Sequence, residues 1–214
     1  KWAGQGTLAM AKDTELLKKM KQSGCELILI GFVSLEEESL RQMNKSWLMT
    51  IGERDELIER IHSAGIGIYA TFVFGYDADT LKTFDNTVKF AKKHNFYTAA
   101  FNHLLPFPGT PLYARLKQQN RLLYDRWWLT DDYHYGELAF KPKHLAPEQV
   151  SAMCRQARKE FSLLPTVLSR GFSSMKQSSP SMWPLFWAMN LRIGDEIDEK
   201  YHVPLGRNLD ELPK

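Results

Sequence analysis

The sequence predicts an α/β protein, in which helices cover a parallel sheet and a mostly helical extension follows. Three helical patterns are each followed by a short apolar or β-branched run, and this alternation stops at the proline-rich segment of residues 105–111. Such alternation builds right-handed β-α-β units. It leaves two architectures open, a doubly wound sheet and part of a (β/α) barrel.

The first helix and its strand are predicted between residues 13 and 32. Asp13 is a suitable N-cap, leucine and methionine follow at helical spacing, and Gly24 ends the helix. The run from Leu27 to Phe32 is continuously apolar, which predicts a strand buried on both faces. We expect the glycine-containing opening of the chain to lead straight into this helix.

Two further helix and strand pairs follow. The second helix is predicted over residues 52–65 and its strand over residues 66–75, which are rich in β-branched and aromatic side chains. The third helix is predicted over residues 79–95 and its strand over residues 96–103. A proline-rich segment then ends the alternation.

The rest of the sequence predicts helices without further strands. Pro111 fits the first turn of one helix, and another is expected from Pro147 to about Leu164. The aromatic segment at residues 182–189 is too short to span a membrane. A buried helix packed on the sheet is favoured there over peripheral contact with a membrane, because Pro184 and the lack of a basic face weaken an amphipathic interpretation.

Composition excludes several classes of function. The net charge is +3, and the basic residues are interleaved with acidic ones, so no nucleic-acid partner is expected. Cys25 and Cys154 lie far apart, which supports neither a disulfide framework nor an internal thiolate metal site. Without a signal-peptide layout or an apolar run of about 20 residues, a cytoplasmic location is expected. P-loop, dinucleotide-binding and serine-hydrolase motifs are absent.

Ligands of parallel β/α proteins bind at the carboxyl ends of the strands. We therefore expect Tyr69, Asn102 and His103 to face a small-molecule substrate, although a lone histidine is more often structural. Asp77 and Asp79 precede the third helix, where a tight turn and an N-cap for the helix at Thr80 explain them.

Three segments together resemble a known family. They are residues 29–34 (LIGFVS), residues 71–77 (TFVFGYD) and residues 105–113 (LPFPGTPLY). In this order and spacing they resemble the fourth, fifth and sixth strands of a radical S-adenosylmethionine enzyme of the cobalamin-binding subgroup. The resemblance implies a partial (β/α) TIM-like barrel, the C-terminal half, over residues 1–120 and a helical C-terminal extension over residues 121–214.

The resemblance also implies cofactors and an activity. In this family a [4Fe-4S] cluster cleaves S-adenosylmethionine reductively, and the resulting radical abstracts hydrogen from a substrate, for example in methyl transfer or cyclisation. Members of the subgroup also bind cobalamin. By position, Ser34, Gly75, Leu105 and Pro106 are the residues that would contact S-adenosylmethionine. No metal ligand is assigned to this chain.

Two departures from the family pattern are visible. The cluster motif C-x-x-x-C-x-x-C is absent and would precede Lys1 by family order, which implies an upstream half of the enzyme or a cluster-bearing partner chain. Val33 stands where the family has a glutamate that contacts the cofactor. The resemblance thus implies either a fragment of a metal-binding radical enzyme, or a degenerate or truncated relative that serves as a non-catalytic interaction or scaffold module.

Overall fold

The computed structural model describes residues 1–50, 52–201 and 203–204. Its sheet has four strands within these residues, all parallel and in the order β1-β2-β3-β4. The α/β class predicted from the sequence is confirmed. The strands are β1 (Trp2–Gly6), β2 (Cys25–Val33), β3 (Gly67–Phe74) and β4 (Thr98–His103).

Helices separate the strands, and further helices follow β4, with a largely irregular segment between residues 119 and 146. The predicted N-cap is confirmed in the first of them, where the Asp13 carboxylate accepts a hydrogen bond from the Leu16 amide at 2.9 Å. The predicted helix from Pro147 to about Leu164 is confirmed, although it ends at Phe161; a further helix begins at Leu164, with Pro165 in its first turn. The helices are α1 (Thr14–Gln22), α2 (Glu37–Gln42), α3 (Arg54–Ser63), α4 (Leu81–Lys93), α5 (Pro111–Gln118), α6 (Pro147–Phe161), α7 (Leu164–Gln177) and α8 (Trp183–Lys200).

Strand β1 is a correction to the sequence analysis, which expected the opening to lead straight into a helix. Two of its five residues are glycine, a residue that weakens strands, so local preference gives no signal. Its pairing with β2, from Trp2 opposite Cys25 to Gly6 opposite Ile30, makes it a strand. A partner distant in the sequence thus decides the structure of this segment.

The two faces of the sheet differ in burial, which corrects the expectation that β2 is buried on both faces. Alternate residues of β2 and β3, such as Ile30 and Phe72, are fully buried, whereas their neighbours Leu29 and Tyr69 are only partly buried. Consecutive strands are also neighbours in the sheet, so right-handed connections place the intervening helices on one face. The main core lies between that face and the helices.

Side chains of the extension cover the outer side of β4. Arg158 of α6 donates from Nε to the Phe101 carbonyl at 2.8 Å. Just before the strand, the Tyr97 carbonyl accepts from Asn190 at 3.1 Å and from Arg170 at 3.2 Å. Carbonyl groups that a further strand could have used are therefore already bonded. Neutral and charged side chains cap this edge of the sheet.

Arg170 is the largest fully buried side chain among the described residues, with 1% of its surface exposed. Its guanidinium donates to the carbonyls of Phe96, Tyr97 and Phe161 and to the Asn190 side chain at 3.0–3.2 Å. It also lies 3.8 Å from the centre of the Phe161 ring. Burial lowers the pKa of Arg170 to about 9, so the group stays charged at neutral pH. This cluster joins α7 and α8 to the start of β4.

The aromatic segment at residues 182–189 packs on the protein at the start of α8. Phe186 is fully buried and its ring meets that of Tyr97 edge to face at 5.2 Å between centres. Leu185 and Leu191 on the same helix are exposed. None of the helices formed by residues 1–50, 52–201 and 203–204 is long and apolar enough to cross a membrane. Peripheral membrane contact stays a prediction, which flotation with liposomes tests.

A second polar cluster joins the extension to β2. Glu26 is almost fully buried, and its carboxylate binds Lys1, Lys21 (2.8 Å) and the Ser179 hydroxyl (2.7 Å). Burial acts to raise the pKa of Glu26, but the hydrogen bonds from Lys1, Lys21 and Ser179 outweigh it and lower the pKa to about 2. The ionised form is therefore the one that the folded protein stabilises.

This cluster predicts a loss of stability in acid. A carboxylate whose pKa is lowered by folding stabilises the protein above its unfolded pKa of about 4.3, and this contribution disappears as the pH falls towards 2. At pH 7 we expect the Glu26→Gln variant to lose about 1–2 kcal/mol of unfolding free energy, since both lysines can return to solvent. Urea titrations at several pH values measure this. If the wild type exceeded Glu26→Gln in unfolding free energy by the same amount at pH 7 and at pH 2, the stabilising role of the ionised Glu26 carboxylate would be contradicted.

Candidate functional site

The segments that carry the family resemblance end at the same edge of the sheet. Ser34 follows β2 directly, Gly75 follows β3 directly, and Leu105 and Pro106 come two and three residues after β4. The paired ends of the strands, Phe74 opposite His103, fix their relative level. Because adjacent strands lie about 4.8 Å apart, these segments are neighbours at the carboxyl edge. The predicted cofactor-binding residues are thus brought together.

The turn after β2 is strained. Val33 has a φ of 63°, an outlying value for a β-branched residue, and the Ser34 amide donates back to the Phe32 carbonyl at 2.8 Å. The Ser34 hydroxyl accepts a hydrogen bond from the Glu36 amide at 3.1 Å, which leaves its own O–H available as a donor. Ser34 is buried. The turn therefore holds this hydroxyl in a fixed place beside the strand ends.

Asp79 holds the turn after β3, which corrects its expected role as an N-cap. Its carboxylate accepts from the amides of Gly75 (2.8 Å) and Tyr76 (3.0 Å) and from the Ser39 hydroxyl (3.0 Å). The N-cap of α4 is Thr80, paired with Thr83 in a capping box. Burial raises the pKa of Asp79 above its ordinary value, although the three hydrogen bonds act in the opposite direction.

Gly75 itself has a φ of 108°, a conformation that only glycine adopts without strain. The Asp79 carboxylate thus connects the turns that follow β2 and β3, since Ser39 lies in α2. Asp77, expected only in a tight turn, binds Arg121 at the start of the extension. The hydrogen bonds to Asp79 and the ion pair between Asp77 and Arg121 therefore both stabilise the turn at the carboxyl edge of β3.

The segment after β4 lies under an aromatic cluster of the extension. The Trp127 indole donates to the Pro106 carbonyl at 2.9 Å, and Leu105 packs beside Trp127 and Tyr133. Pro106 is buried, whereas Phe107 is exposed. A ligand at this edge would meet the Leu105 side chain, and the Pro106 carbonyl already has one partner.

Tyr69 and Asn102 line one cavity of about 270 Å³. The placement of Tyr69 at a strand end was wrong, since it is the third residue of β3, where its half-buried side chain lies on the less buried face of the sheet. The cavity is also lined by α8 and by residues at the end of α6. Two of the three residues expected to face a substrate therefore share a cavity below the carboxyl edge.

His103 is not part of this cavity lining. Both of its ring nitrogens are buried away from solvent. Burial, together with the positive charge of Arg158, lowers the pKa of His103 to about 4, although the main chain of Glu137 acts in the opposite direction. The ring is neutral at pH 7, so proton transfer would require it to act as a base.

The residues of this chain do not fit an iron–sulfur cluster. Such clusters need several cysteine thiolates together, whereas the chain has only Cys25 and Cys154, both buried and free. Burial raises the pKa of the Cys154 thiol to about 12, which disfavours the thiolate. No group of three potential ligand side chains that could hold a metal ion occurs within residues 1–50, 52–201 and 203–204.

Three important residues escaped the sequence analysis. Asp79 looked like an N-cap, because a sequence does not show that its side chain bonds to Gly75 and Ser39 in two separate turns. Arg158 and Trp127 lie in the extension, where no pattern indicates that they reach back to β4 and Pro106. The one signal in the sequence was the pair Trp127 and Trp128 after the proline-rich segment, since tryptophan is often buried against another part of a protein.

Comparison with known proteins identifies several relatives of this chain. No family model matches the chain. It is 30% identical over 188 residues to the bacteriochlorophyllide d C-12(1)-methyltransferase of Chlorobaculum tepidum, covering 87% of this chain and 38% of that protein. The C-8(2)-methyltransferase of the same organism, also named for bacteriochlorophyllide d, is 26% identical over 136 residues, covering 64% of this chain and 30% of that protein.

A third relative has a different name. The anaerobic magnesium-protoporphyrin IX monomethyl ester cyclase of Cereibacter sphaeroides is 31% identical over 108 residues, 50% of this chain and 17% of that protein. The chain spans at most 38% of the length of these relatives. It is therefore homologous to part of a group of larger enzymes that includes methyltransferases and a cyclase.

Proposed function

We propose that the chain is the C-terminal part of a radical S-adenosylmethionine enzyme that modifies an unreactive carbon by methyl transfer or cyclisation. Residues 1–120 would form the second half of its barrel and residues 121–214 a helical extension, of which residues 202 and 205–214 lie outside the described residues. The observation that carries this proposal is the meeting of Ser34, Gly75 and Leu105 at one carboxyl edge. Homology to methyltransferases and a cyclase supports the reaction class.

The order of the strands supports a barrel over a doubly wound sheet. A doubly wound sheet reverses its strand order at a switch point and carries helices on both faces. The order β1-β2-β3-β4 has no reversal, and the face with Leu29, Tyr69 and Thr71 stays only partly buried. In a complete barrel this face would line the interior. An upstream strand would pair with β1, whose other side has no strand neighbour among the described residues.

The chain's own residues would bind and orient S-adenosylmethionine. The Ser34 hydroxyl can donate a hydrogen bond, the glycine at residue 75 allows close approach of the backbone, and the Leu105 side chain offers an apolar surface to the adenine ring. With a [4Fe-4S] cluster held outside this chain, bound S-adenosylmethionine would supply a radical that abstracts hydrogen from the substrate. Cobalamin belongs to this proposal only through the resemblance, and it too would be held outside this chain.

The test is reductive cleavage of S-adenosylmethionine by the whole enzyme. The chain is produced with the coding sequence that precedes it in frame, or with a cluster-bearing partner chain, and deoxyadenosine and methionine are quantified under anaerobic reduction. We expect the Gly75→Ala variant to lose about 100-fold in rate, because its strained turn displaces the cofactor. Gly194→Ala is the matched control, since a Cβ there meets no atom within 4 Å.

A non-catalytic scaffold is the second candidate, favoured by Val33 in place of the family glutamate and by the lack of cluster ligands. It predicts no cleavage of S-adenosylmethionine even when the upstream part and a reductant are present. It also predicts that the Gly75→Ala and Gly194→Ala variants form the same amounts of deoxyadenosine and methionine and differ only in melting temperature, which is lower for Gly75→Ala. Either result would remove the catalytic proposal.

A further inference from the structure

The cavity that contains Tyr69 and Asn102 has one apolar wall and one polar wall. Met189, Ile193 and Ile197 recur on one face of α8 and form the apolar side. Tyr69 and Asn102 of the sheet lie on the opposite side, together with Arg158 of α6. At about 270 Å³, the cavity is just below the range of ~300–1,000 Å³ typical of sites for small molecules. It would hold one end of a larger molecule or a small molecule alone.

Arg158 gives this cavity a positive charge. Its guanidinium donates to the Phe101 carbonyl at 2.8 Å and to the Asn102 side-chain oxygen at 3.1 Å. No carboxylate among the described residues lies within ion-pair distance of it, and two donors out of five are used by these bonds. By contrast, the other ions of the cavity, Lys200 and Glu196, pair with each other at 2.7 Å. Within residues 1–50, 52–201 and 203–204, the charge of Arg158 is thus not paired with a carboxylate.

We propose that this cavity binds the carboxylate group of a partly apolar organic molecule. Arg158 would supply the opposite charge through its remaining donors, because guanidinium and carboxylate groups match in charge and in geometry. The bonds to Phe101 and Asn102 fix the guanidinium, so little conformational entropy is lost on binding. The apolar side chains of α8 would contact the hydrocarbon part. Helix α8 therefore determines which hydrocarbon fits.

This site bears on the substrate of the proposed reaction. The cavity lies on the face of β3 and β4 that would line the barrel, below the edge formed by Gly75 and Leu105. The identification of its ligand as the substrate rests on the proposed function, whereas carboxylate binding does not. The substrate class that follows is an amphipathic carboxylic acid, held by its carboxylate with its reactive carbon extended towards the cofactor.

The test is binding of a small probe to the chain without cofactor or cluster. Octanoate and its neutral analogue octanamide are titrated by calorimetry and by NMR of ¹³C-methyl-labelled isoleucine, which observes Ile193 and Ile197. We expect octanoate to bind with a dissociation constant of about 1–10 mM, as suits a fragment of ~10 heavy atoms, and octanamide at least tenfold more weakly. Equal binding of the two probes, or no binding of octanoate, would overturn the proposal.

Variants separate the charge of Arg158 from its structural role. Arg158→Gln is expected to lose about tenfold in affinity for octanoate, while Arg158→Lys, which keeps the charge, stays within threefold of the wild type. Ala100→Leu fills the cavity and is expected to abolish binding, and the exposed Arg115→Gln is the matched control. Undiminished octanoate binding by folded Arg158→Gln would refute the role of Arg158.

These measurements do not depend on radical chemistry. If octanoate fails to bind while the whole enzyme cleaves S-adenosylmethionine, the carboxylate site is wrong and the proposed function stands. If octanoate binds with the expected dependence on Arg158 but no cleavage occurs, the site stands and the proposed reaction fails.

Discussion

Replacing Arg170 with methionine is expected to lower the free energy of unfolding by about 3–5 kcal/mol. The change removes the hydrogen bonds that Arg170 donates to the carbonyls of Phe96 and Phe161 and to the Asn190 side-chain oxygen. The Tyr97 carbonyl also loses its bond from Arg170 but keeps its bond from Asn190. Each buried polar group left unsatisfied costs roughly 1–3 kcal/mol, and relief from burying the charge offsets part of the sum.

Thermal unfolding measures this effect. For a chain of this size, each 1 kcal/mol shifts the melting temperature by roughly 2–4 °C, so a fall of about 6–20 °C is expected. Arg170→Lys should recover only part of the loss, because one ammonium group cannot reach four acceptors in fixed directions. Arg115→Met, at an exposed position on α5, is the control and should change little. A shift below 2 °C for Arg170→Met would show that the cluster contributes no net stability.

Asp79→Ala is expected to cost about 2–4 kcal/mol, because it leaves the amides of Gly75 and Tyr76 and the Ser39 hydroxyl without their acceptor. Asp79→Asn is the matched control. The asparagine oxygen can accept from both amides, and its amino group can donate to the Ser39 oxygen, so we expect a loss below about 1.5 kcal/mol. Equal losses in both variants would show that the charge, and not the set of hydrogen bonds, holds these turns.

The pH dependence gives an independent check on Asp79. Because burial raises its pKa, its contribution to stability is fully present below the unfolded pKa of about 3.9 and falls as the pH rises through the folded value. This is opposite in sign to the contribution of Glu26. The Asp79→Asn variant should lack this decline, so the difference between its stability and that of the wild type should be largest in acid and shrink towards neutral pH.

The sequence predicted those elements whose signals are local. Asp13 and Gly24 mark the two ends of α1, and the apolar run of β2 is visible by itself. Strand β1 was missed because its pairing with β2 outweighs two glycines. The half-exposed second face of the sheet was missed because partly and fully buried leucine and isoleucine look alike in a sequence. Register and strand order separate them.

The candidate site was predicted in part for the same reason. Strand ends can be located from turn residues such as Gly75, so Ser34, Gly75 and Leu105 do lie together at the carboxyl edge. Tyr69, which was also expected there, lies within β3. The bonds that hold the site come from elsewhere. Asp79 reaches Ser39 across 40 positions, and Arg158 reaches Asn102 across 56. Neither spacing has a periodicity that a sequence pattern could report.

The side chains bonded along the edge of β4 determine at which edge the sheet can gain a strand. With its last strand closed by Arg158 and Asn190, the sheet can gain strands only beside β1, and an added strand that continues the present arrangement would be parallel to it. Two copies of this chain joined at β1 by a two-fold axis perpendicular to the sheet would instead place their β1 strands antiparallel. Accidental self-association and completion by the natural neighbour would therefore have opposite strand polarity, and isotope-edited infrared spectra of labelled β1 would distinguish them.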